Sequence, residues 1–230
     1  MALVIDIESS GKAWGSFDAQ TQHLFSAKAK TSGQSDEEWA EANMSLSPYT
    51  AEIVALGALD TQTLKGGVYF QSRKKDIAAF EENGIKFQSC SEQDIIAKFY
   101  QLAAKYQEFV TFNGRMFDIP FLFIRSAINK IKPTKDLMRN RYLNAQAFDA
   151  KHIDLFDQLS YYGSARYPSG AGLHMACQAF GITTPKDDEI DGSKVTSYFN
   201  SGKYEEIARY NARDLFATAE LYSYWKNYLN

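Results

Sequence analysis

The chain has 230 residues, 45% of them hydrophobic, enough to bury one sizeable core in a single domain. Its 25 basic and 28 acidic residues leave a net charge of −3, which excludes the strongly basic surface of a tight duplex-DNA binder but not a nucleic acid that is bound, cut and released. No run of 18 apolar residues is present to span a membrane, MALVIDIE reaches charge too early for a signal peptide, and the placement of Cys90 and Cys177 in unrelated segments fits small buried residues of a reducing, cytoplasmic protein.

The first predicted element is a strand over 2–8. Leu3, Ile5 and Ile7 alternate with Val4, Asp6 and Glu8, so the two acids share one face. Residues 9–49 are polar and hold Gly11, Gly15, Gly33 and Pro48. They predict a hairpin continuation near 13–17, then a mobile loop insertion with one short helix near 36–43. Strands follow at 51–59 and 67–71. A helix over 92–107 has Ile95, Ile96, Phe99, Leu102, Ala103 and Tyr106 at helical spacing, with Ser89 and Glu92 as a candidate capping box.

Residues 109–112 predict a buried strand broken by Asn113-Gly114. A helix from about 119 to 131 tolerates Pro120 in its first turn. A strand at 151–156, a Gly/Ser/Tyr-rich loop at 160–171 and a helix at 172–180 ended by Gly181 come next. A polar loop with Pro185, Asp187, Asp188 and Gly192 leads to a long helix over about 203–227. The five strands interleaved with helices predict an α/β fold with a mixed sheet.

Asp6, Glu8, Asp118 and Asp214 each stand where an apolar residue or an element boundary is expected. Asp214 lies within the stripe Ile207, Tyr210, Asp214, Ala217, Leu221, Tyr224, one face of a helix. Burying a lone carboxylate costs several kcal/mol, roughly the effective penalty per ion inside a protein. Either an arginine such as Arg213 or Arg125 pairs with Asp214, or a cation does. Asp118 could serve simply as the N-cap of the helix it precedes, and Asp6 and Glu8 could be solvent-exposed at a strand end. Two divalent metals held by carboxylates would account for all four and would cleave phosphodiesters. The scattered three histidines speak against zinc.

Taken together, the motifs resemble those of the DEDD exonucleases of the ribonuclease H-like superfamily. Asp6-Ile7-Glu8 resembles their first motif. Asn113-Gly114-Arg115-Met116-Phe117-Asp118-Ile119-Pro120 resembles the second motif of the proofreading exonuclease domains of family B DNA polymerases, and it is the most specific of the three. Tyr210-Asn211-Ala212-Arg213-Asp214 resembles the third. Arg209 occupies the position at which the histidine branch of the family carries its histidine, so the chain resembles the tyrosine branch, DEDDy. The resemblance covers residues 2 to about 226.

It implies a ribonuclease H-like, five-stranded mixed sheet flanked by helices, over a single 3′–5′ exonuclease-like domain of residues 1–230. It implies two Mg²⁺ or Mn²⁺ ions about 3.5–4 Å apart. Asp6 would be shared by both ions, Glu8 and Asp214 would complete the site of the attacking water, and Asp118 would hold the second ion. Tyr210 would orient the water rather than deprotonate it, since a phenol has a pKa near 10. The substrate implied is the 3′ end of single-stranded nucleic acid, DNA before RNA, with nucleoside 5′-monophosphate as product and replication or repair proteins as partners.

The backbone amides of Ser9 and Ser10 would meet the terminal 3′-OH, and Asn113 and Phe117 would hold the terminal nucleotide. Phe117 is equally readable as a core aromatic. Tyr161, Tyr162, Arg166 and Tyr167 suit either single-strand stacking or an ordinary surface loop. Lys28, Lys30, Arg73, Lys74 and Lys75 read as solvated charges, and His152 with Asp154 and Asp157 as a strand-edge structural group rather than a metal cluster. Two rival readings stand beside this one. Asp6-Ile7-Glu8-Ser9-Ser10 is a poor match to the Asp-x-Asp-x-Thr of haloacid dehalogenase-like phosphatases, echoed by Lys186-Asp187-Asp188. The same fold could also serve as a non-catalytic nucleic-acid-binding domain.

Overall fold

The alternation in ALVIDIESSG forms the central strand, β1 (Ala2–Gly11), of a computed structural model that describes residues 1–74, 77–166, 172–183 and 190–230. Ala2 and Val4 enter one core layer and Leu3, Ile5 and Ile7 the other. Both faces are therefore buried, and Asp6 and Glu8 stand on the Val4 face. β2 (Ala51–Asp60) pairs antiparallel with β1, its register shifting at Glu8/Ser9. β3 (Gly66–Phe70) pairs antiparallel with β2. A hairpin of β4 (Phe80–Glu82) and β5 (Ile85–Ser89) joins with β5 parallel to β3. On the other side of β1 lie β6 (Glu108–Thr111) and β7 (Lys151–Asp154), both parallel. The sheet order is β4-β5-β3-β2-β1-β6-β7.

Helices α1 (Ala19–Ser32) and α2 (Asp36–Asn43) follow β1. Helices α3 (Glu92–Ala103) and α4 (Asp118–Ile128) cover the Leu3/Ile5/Ile7 face with Ile95, Ile96, Phe99, Phe121 and Leu122. The opposite face is covered by α5 (Leu155–Leu159), α6 (Leu173–Phe180), α7 (Val195–Asn200) and α8 (Tyr204–Tyr228). From α8, Ile207, Leu215 and Leu221 are fully buried. At about 1.5–3 kcal/mol for each such side chain, they outweigh the α8 surface pair Arg209–Glu205, at about 0–1 kcal/mol, in fixing the helix across β1 and β2.

One buried ion pair ties the Leu3 layer together. Glu92 accepts from Arg125 Nε at 2.8 Å and Nη2 at 2.6 Å, and also from the Ile53 amide at 2.8 Å. It therefore joins α3, α4 and β2, and it commits Arg125 away from Asp214.

The α/β class and the mixed sheet stand, but the sheet has seven strands rather than five. The additional pair is the β4–β5 hairpin, turned by Asn83 and Gly84 at φ +50° and +81°, the left-handed pair of a type I′ turn. The 9–49 segment is not a loop with one helix. β1 runs on to Gly11, and α1 precedes α2; Asp18 caps α1 by accepting from the Thr21 amide at 2.8 Å, and Gly33 closes it at φ +73°. The cap of α3 is Ser91, which accepts from the Asp94 amide; Ser89 ends β5, so Glu92 is released to Arg125. The strand expected at 151–156 stops at Asp154, whose side chain accepts from the Phe156 amide and starts α5. The loop bearing Pro185, Lys186, Asp187 and Asp188 lies outside the described residues. No helix among the described residues is long and apolar enough to cross a membrane.

Candidate active site

Asp6, Glu8 and Asp214 converge. One carboxylate oxygen from each lies within 4.8 Å of the others. Two-residue spacing on β1 sends Asp6 and Glu8 to the same face, and α8 crosses that face to bring Asp214 above them. Glu8 and Asp214 are buried, while Asp6 retains partial exposure. Burial raises the pKa of Asp6 well above the carboxylate range, and Asp118, Asp214 and Glu8 raise it further by repulsion. Glu8 is raised by burial, then by Asp214 and Asp118. Three acids crowded in this way are costly without a cation, and hard oxygen donors suit Mg²⁺ or Mn²⁺.

Asp118 is fourth. It is the first residue of α4, but it is not the N-cap, a place held by Phe117. Instead Asp118 Oδ1 accepts from the amide of Ile7 at 3.0 Å, the peptide that links Asp6 to Ile7. The β1–β6 ladder has ended at Val4↔Val110, which leaves that amide available. Burial raises the Asp118 carboxyl to about 7, against the lowering effect of the Ile7 bond.

The loop before Asp118 is held from below by Asp154. Asp154 Oδ1 accepts from the Asn113 amide at 2.7 Å and Oδ2 from the Arg115 amide at 2.9 Å. Asn113 adopts φ +62°. Gly114 approaches Thr111 so closely that a Cβ would stand 2.4 Å from Thr111 Oγ1. That threonine is committed to His152 Nε2 at 2.8 Å, and His152 Nδ1 lies 3.0 Å from the Leu137 carbonyl. Burial lowers His152 to about 3, so the ring is neutral. The carbonyl can only accept, hence Nδ1 carries the proton and Nε2 accepts from Thr111. Asp157 pairs with Arg141. His152, Asp154 and Asp157 are thus the structural group expected, and Asp154 is more than that, since it shapes the segment that presents Asp118.

Tyr210 is buried one turn before Asp214, among the acids of the cluster. Burial and the three acids push its pKa far up. Arg209 faces away and pairs with Glu82 of β4 at 2.9 Å. Asn211 donates Nδ2 to Asp6 Oδ2 at 2.7 Å. Sequence reasoning missed it. The available signal was a polar residue three before Asp214, a spacing that puts both on one side of the helix.

The remaining expected contacts are more dispersed. Ser9 and Ser10 continue β1 beyond the bulge, pair with Ile53 and Glu52, and are buried; the Ser9 hydroxyl donates to the Ser45 carbonyl. Phe117 is half-buried against the core and lies 5.4 Å from the Phe121 ring, which is the core-aromatic place foreseen for it. Tyr162 is tied into the fold by Tyr142 and Gln158, whereas Tyr161 and Arg166 are exposed. Tyr167 and Lys75 lie outside the described residues. Lys28, Arg73 and Lys74 are exposed and lie over Phe25, Phe199 and Tyr204. A groove of about 610 Å³ is lined by Leu3, Tyr69 and Leu102 on the other side of the sheet, away from the carboxylates.

A mixed sheet whose central strand and crossing helix gather carboxylates at one strand end defines an α/β protein of the polymerase-exonuclease fold. Residues 67–228 match the family described as predicted 3′-5′ exonuclease related to the exonuclease domain of PolB, and the chain belongs to that family. The matched range includes Asp118, Tyr210 and Asp214 and begins after β1. Among solved structures, the chain is similar to the family B DNA polymerase from the hyperthermophilic archaeon Pyrobaculum calidifontis. Identity is 15% and the TM-score 0.62, over 98% of this chain and 24% of that one. The chain thus spans about a quarter of the polymerase. A search of curated proteins returned no match.

Proposed function

We propose that the protein is a metal-dependent 3′–5′ exonuclease of the DEDDy type, acting on 3′ ends of single-stranded nucleic acid, DNA before RNA, and releasing nucleoside 5′-monophosphates. The observation that carries this reading is the convergence of Asp6, Glu8 and Asp214 within 4.8 Å, with Asp118 fastened to the peptide after Asp6. Family membership supports the reaction class, and the likeness to a DNA polymerase supports the preference for DNA.

Asp6, Glu8, Asp118 and Asp214 would hold two Mg²⁺ or Mn²⁺ ions. Such ions supply positive charge that acidifies a water and stabilises a leaving oxygen. The chain's own residues do the rest. Asp6, open on one side, admits the scissile phosphate while Glu8 and Asp214 stay shielded. Tyr210 remains a neutral phenol at any working pH, so it orients a water by hydrogen bonding and leaves proton removal to others. The Asn113–Phe117 turn, held by Asp154, forms the wall for the terminal nucleotide, with Phe117 available for stacking.

The test is cleavage of matched single-stranded DNA and RNA, with a free or a phosphate-blocked 3′ end, in Mg²⁺ or Mn²⁺. Cleavage only from free 3′-hydroxyl ends, faster on DNA, is expected. Cleavage of blocked strands at internal positions would replace this reading with an endonuclease. Binding of strands without cleavage in either metal would leave a non-catalytic binding domain.

A further inference from the structure

We propose that Asn211 is a positioning residue of this site: its side-chain amide fixes the Asp6 carboxylate, and residue 57 is glycine so that Asn211 can reach it. The inference rests on the reading of Asp6 as a metal ligand.

Gly57 is the direct cross-strand partner of Asp6 in the β1–β2 register. α8 crosses above this pair, and Asn211, fully buried, fills the space over the glycine. A Cβ on residue 57 would stand 2.1 Å from Asn211 Oδ1 and 2.6 Å from Leu215 Cδ1. No side chain larger than hydrogen fits there while Asn211 keeps its place. From that place Nδ2 donates to Asp6 Oδ2 at 2.7 Å. The reverse orientation would aim the amide oxygen at a carboxylate, so the donor faces the acid.

The oxygen at the other end has no hydrogen-bond partner among the described residues and is buried over Gly57. An unsatisfied buried acceptor destabilises a fold. A residue serving packing alone would be better apolar here. The arrangement makes sense if its purpose is the carboxylate: one Asp6 oxygen is held and the swing of the group is restricted. Outer contacts that orient a metal ligand are worth about 10–100-fold in metal affinity or activity.

The experiment is a double-mutant cycle on the purified full chain with Asn211→Ala, Gly57→Ala and the pair. It is read by Mn²⁺ titration calorimetry and, separately, by urea unfolding in EDTA. Asn211→Ala should weaken Mn²⁺ binding about 10–100-fold while the metal-free fold is no less stable than wild type. Gly57→Ala should weaken it similarly by displacing the amide. The pair should be no worse than the weaker single variant, because alanine at 211 vacates the space. Asn211→Leu, which keeps the volume and lacks the donor, provides the same comparison if the alanine variant does not fold. Wild-type Mn²⁺ affinity in a folded Asn211→Ala or Asn211→Leu protein would overturn the proposal and leave the exonuclease reading intact. Losses that multiply in the pair would overturn the role given to Gly57. A wild-type chain that binds no Mn²⁺ would overturn both.

Discussion

The carboxylate cluster should make the metal-free protein less stable than a variant that lacks one of its charges, and Asp118→Asn is the sharpest way to see this. Asp118 is buried, and its carboxyl is raised from 3.8 to about 7. An acid with a raised folded pKa binds more protons folded than unfolded between those two values. Its contribution to stability therefore falls as pH rises from about 4 to 7 and stays low above that. At about 1.4 kcal/mol per pH unit, the ionised group costs the fold about 4 kcal/mol near pH 8. Asparagine keeps the shape and can still accept from the Ile7 amide, the 3.0 Å bond that fixes this position.

The assay is urea unfolding in EDTA from pH 4 to 8. Asp118→Asn should match wild type near pH 4, where both side chains are neutral, and exceed it by about 2–4 kcal/mol at pH 8. Saturating Mn²⁺ should reverse the order, since it binds the native cluster. A variant no more stable than wild type at pH 8, or a difference that does not change with pH, would refute the reasoning.

Other perturbations separate roles within the same site and fold. Asp214→Ala should abolish cleavage while Tyr210→Phe leaves a measurable rate, because the proposed mechanism makes the first a ligand and has the second only orient water; single-turnover kinetics on a labelled oligonucleotide distinguish them. Asp154→Ala frees the amides of Asn113 and Arg115 and should cost about 10–100-fold in activity, chiefly through weaker binding of the terminal nucleotide, visible as a split between KM and kcat. Glu92→Ala strands a buried arginine and should cost about 3–5 kcal/mol in chemical denaturation, yet leave turnover of the still-folded fraction near wild type.

The convergence of the candidate side chains was legible in the sequence because their spacing is local. Asp6 and Glu8 are two apart on a strand, and Tyr210 and Asp214 four apart on a helix, so each segment predicts its own face. What joins the segments was not legible. Only the fold puts Gly57 opposite Asp6 and Asn211 over Gly57, or sets Asp154 beneath the Asn113 turn. The Asp118 ambiguity was resolved against a cap by one long-range hydrogen bond to Ile7. Two of the missed elements, β4 and α1, differ in kind. Asn83-Gly84 is a strong hairpin signal, but β4 is three residues long and shows little alternation. α1 buries only Ala29 and so lacks an apolar stripe; its sole local signs were Asp18 and Gly33 at its ends.

The central claim is that these carboxylates cut nucleic acid from the 3′ end with divalent metal. The most direct measurement follows 5′-labelled and 3′-labelled single-stranded DNA over time with Mg²⁺, Mn²⁺ or EDTA, beside Asp6→Ala. The account predicts a ladder of successively shorter 5′-labelled strands, immediate release of labelled mononucleotide from the 3′-labelled strand, and neither in EDTA nor with Asp6→Ala. Equal degradation by Asp6→Ala, or loss of label first from the 5′ end, would contradict it.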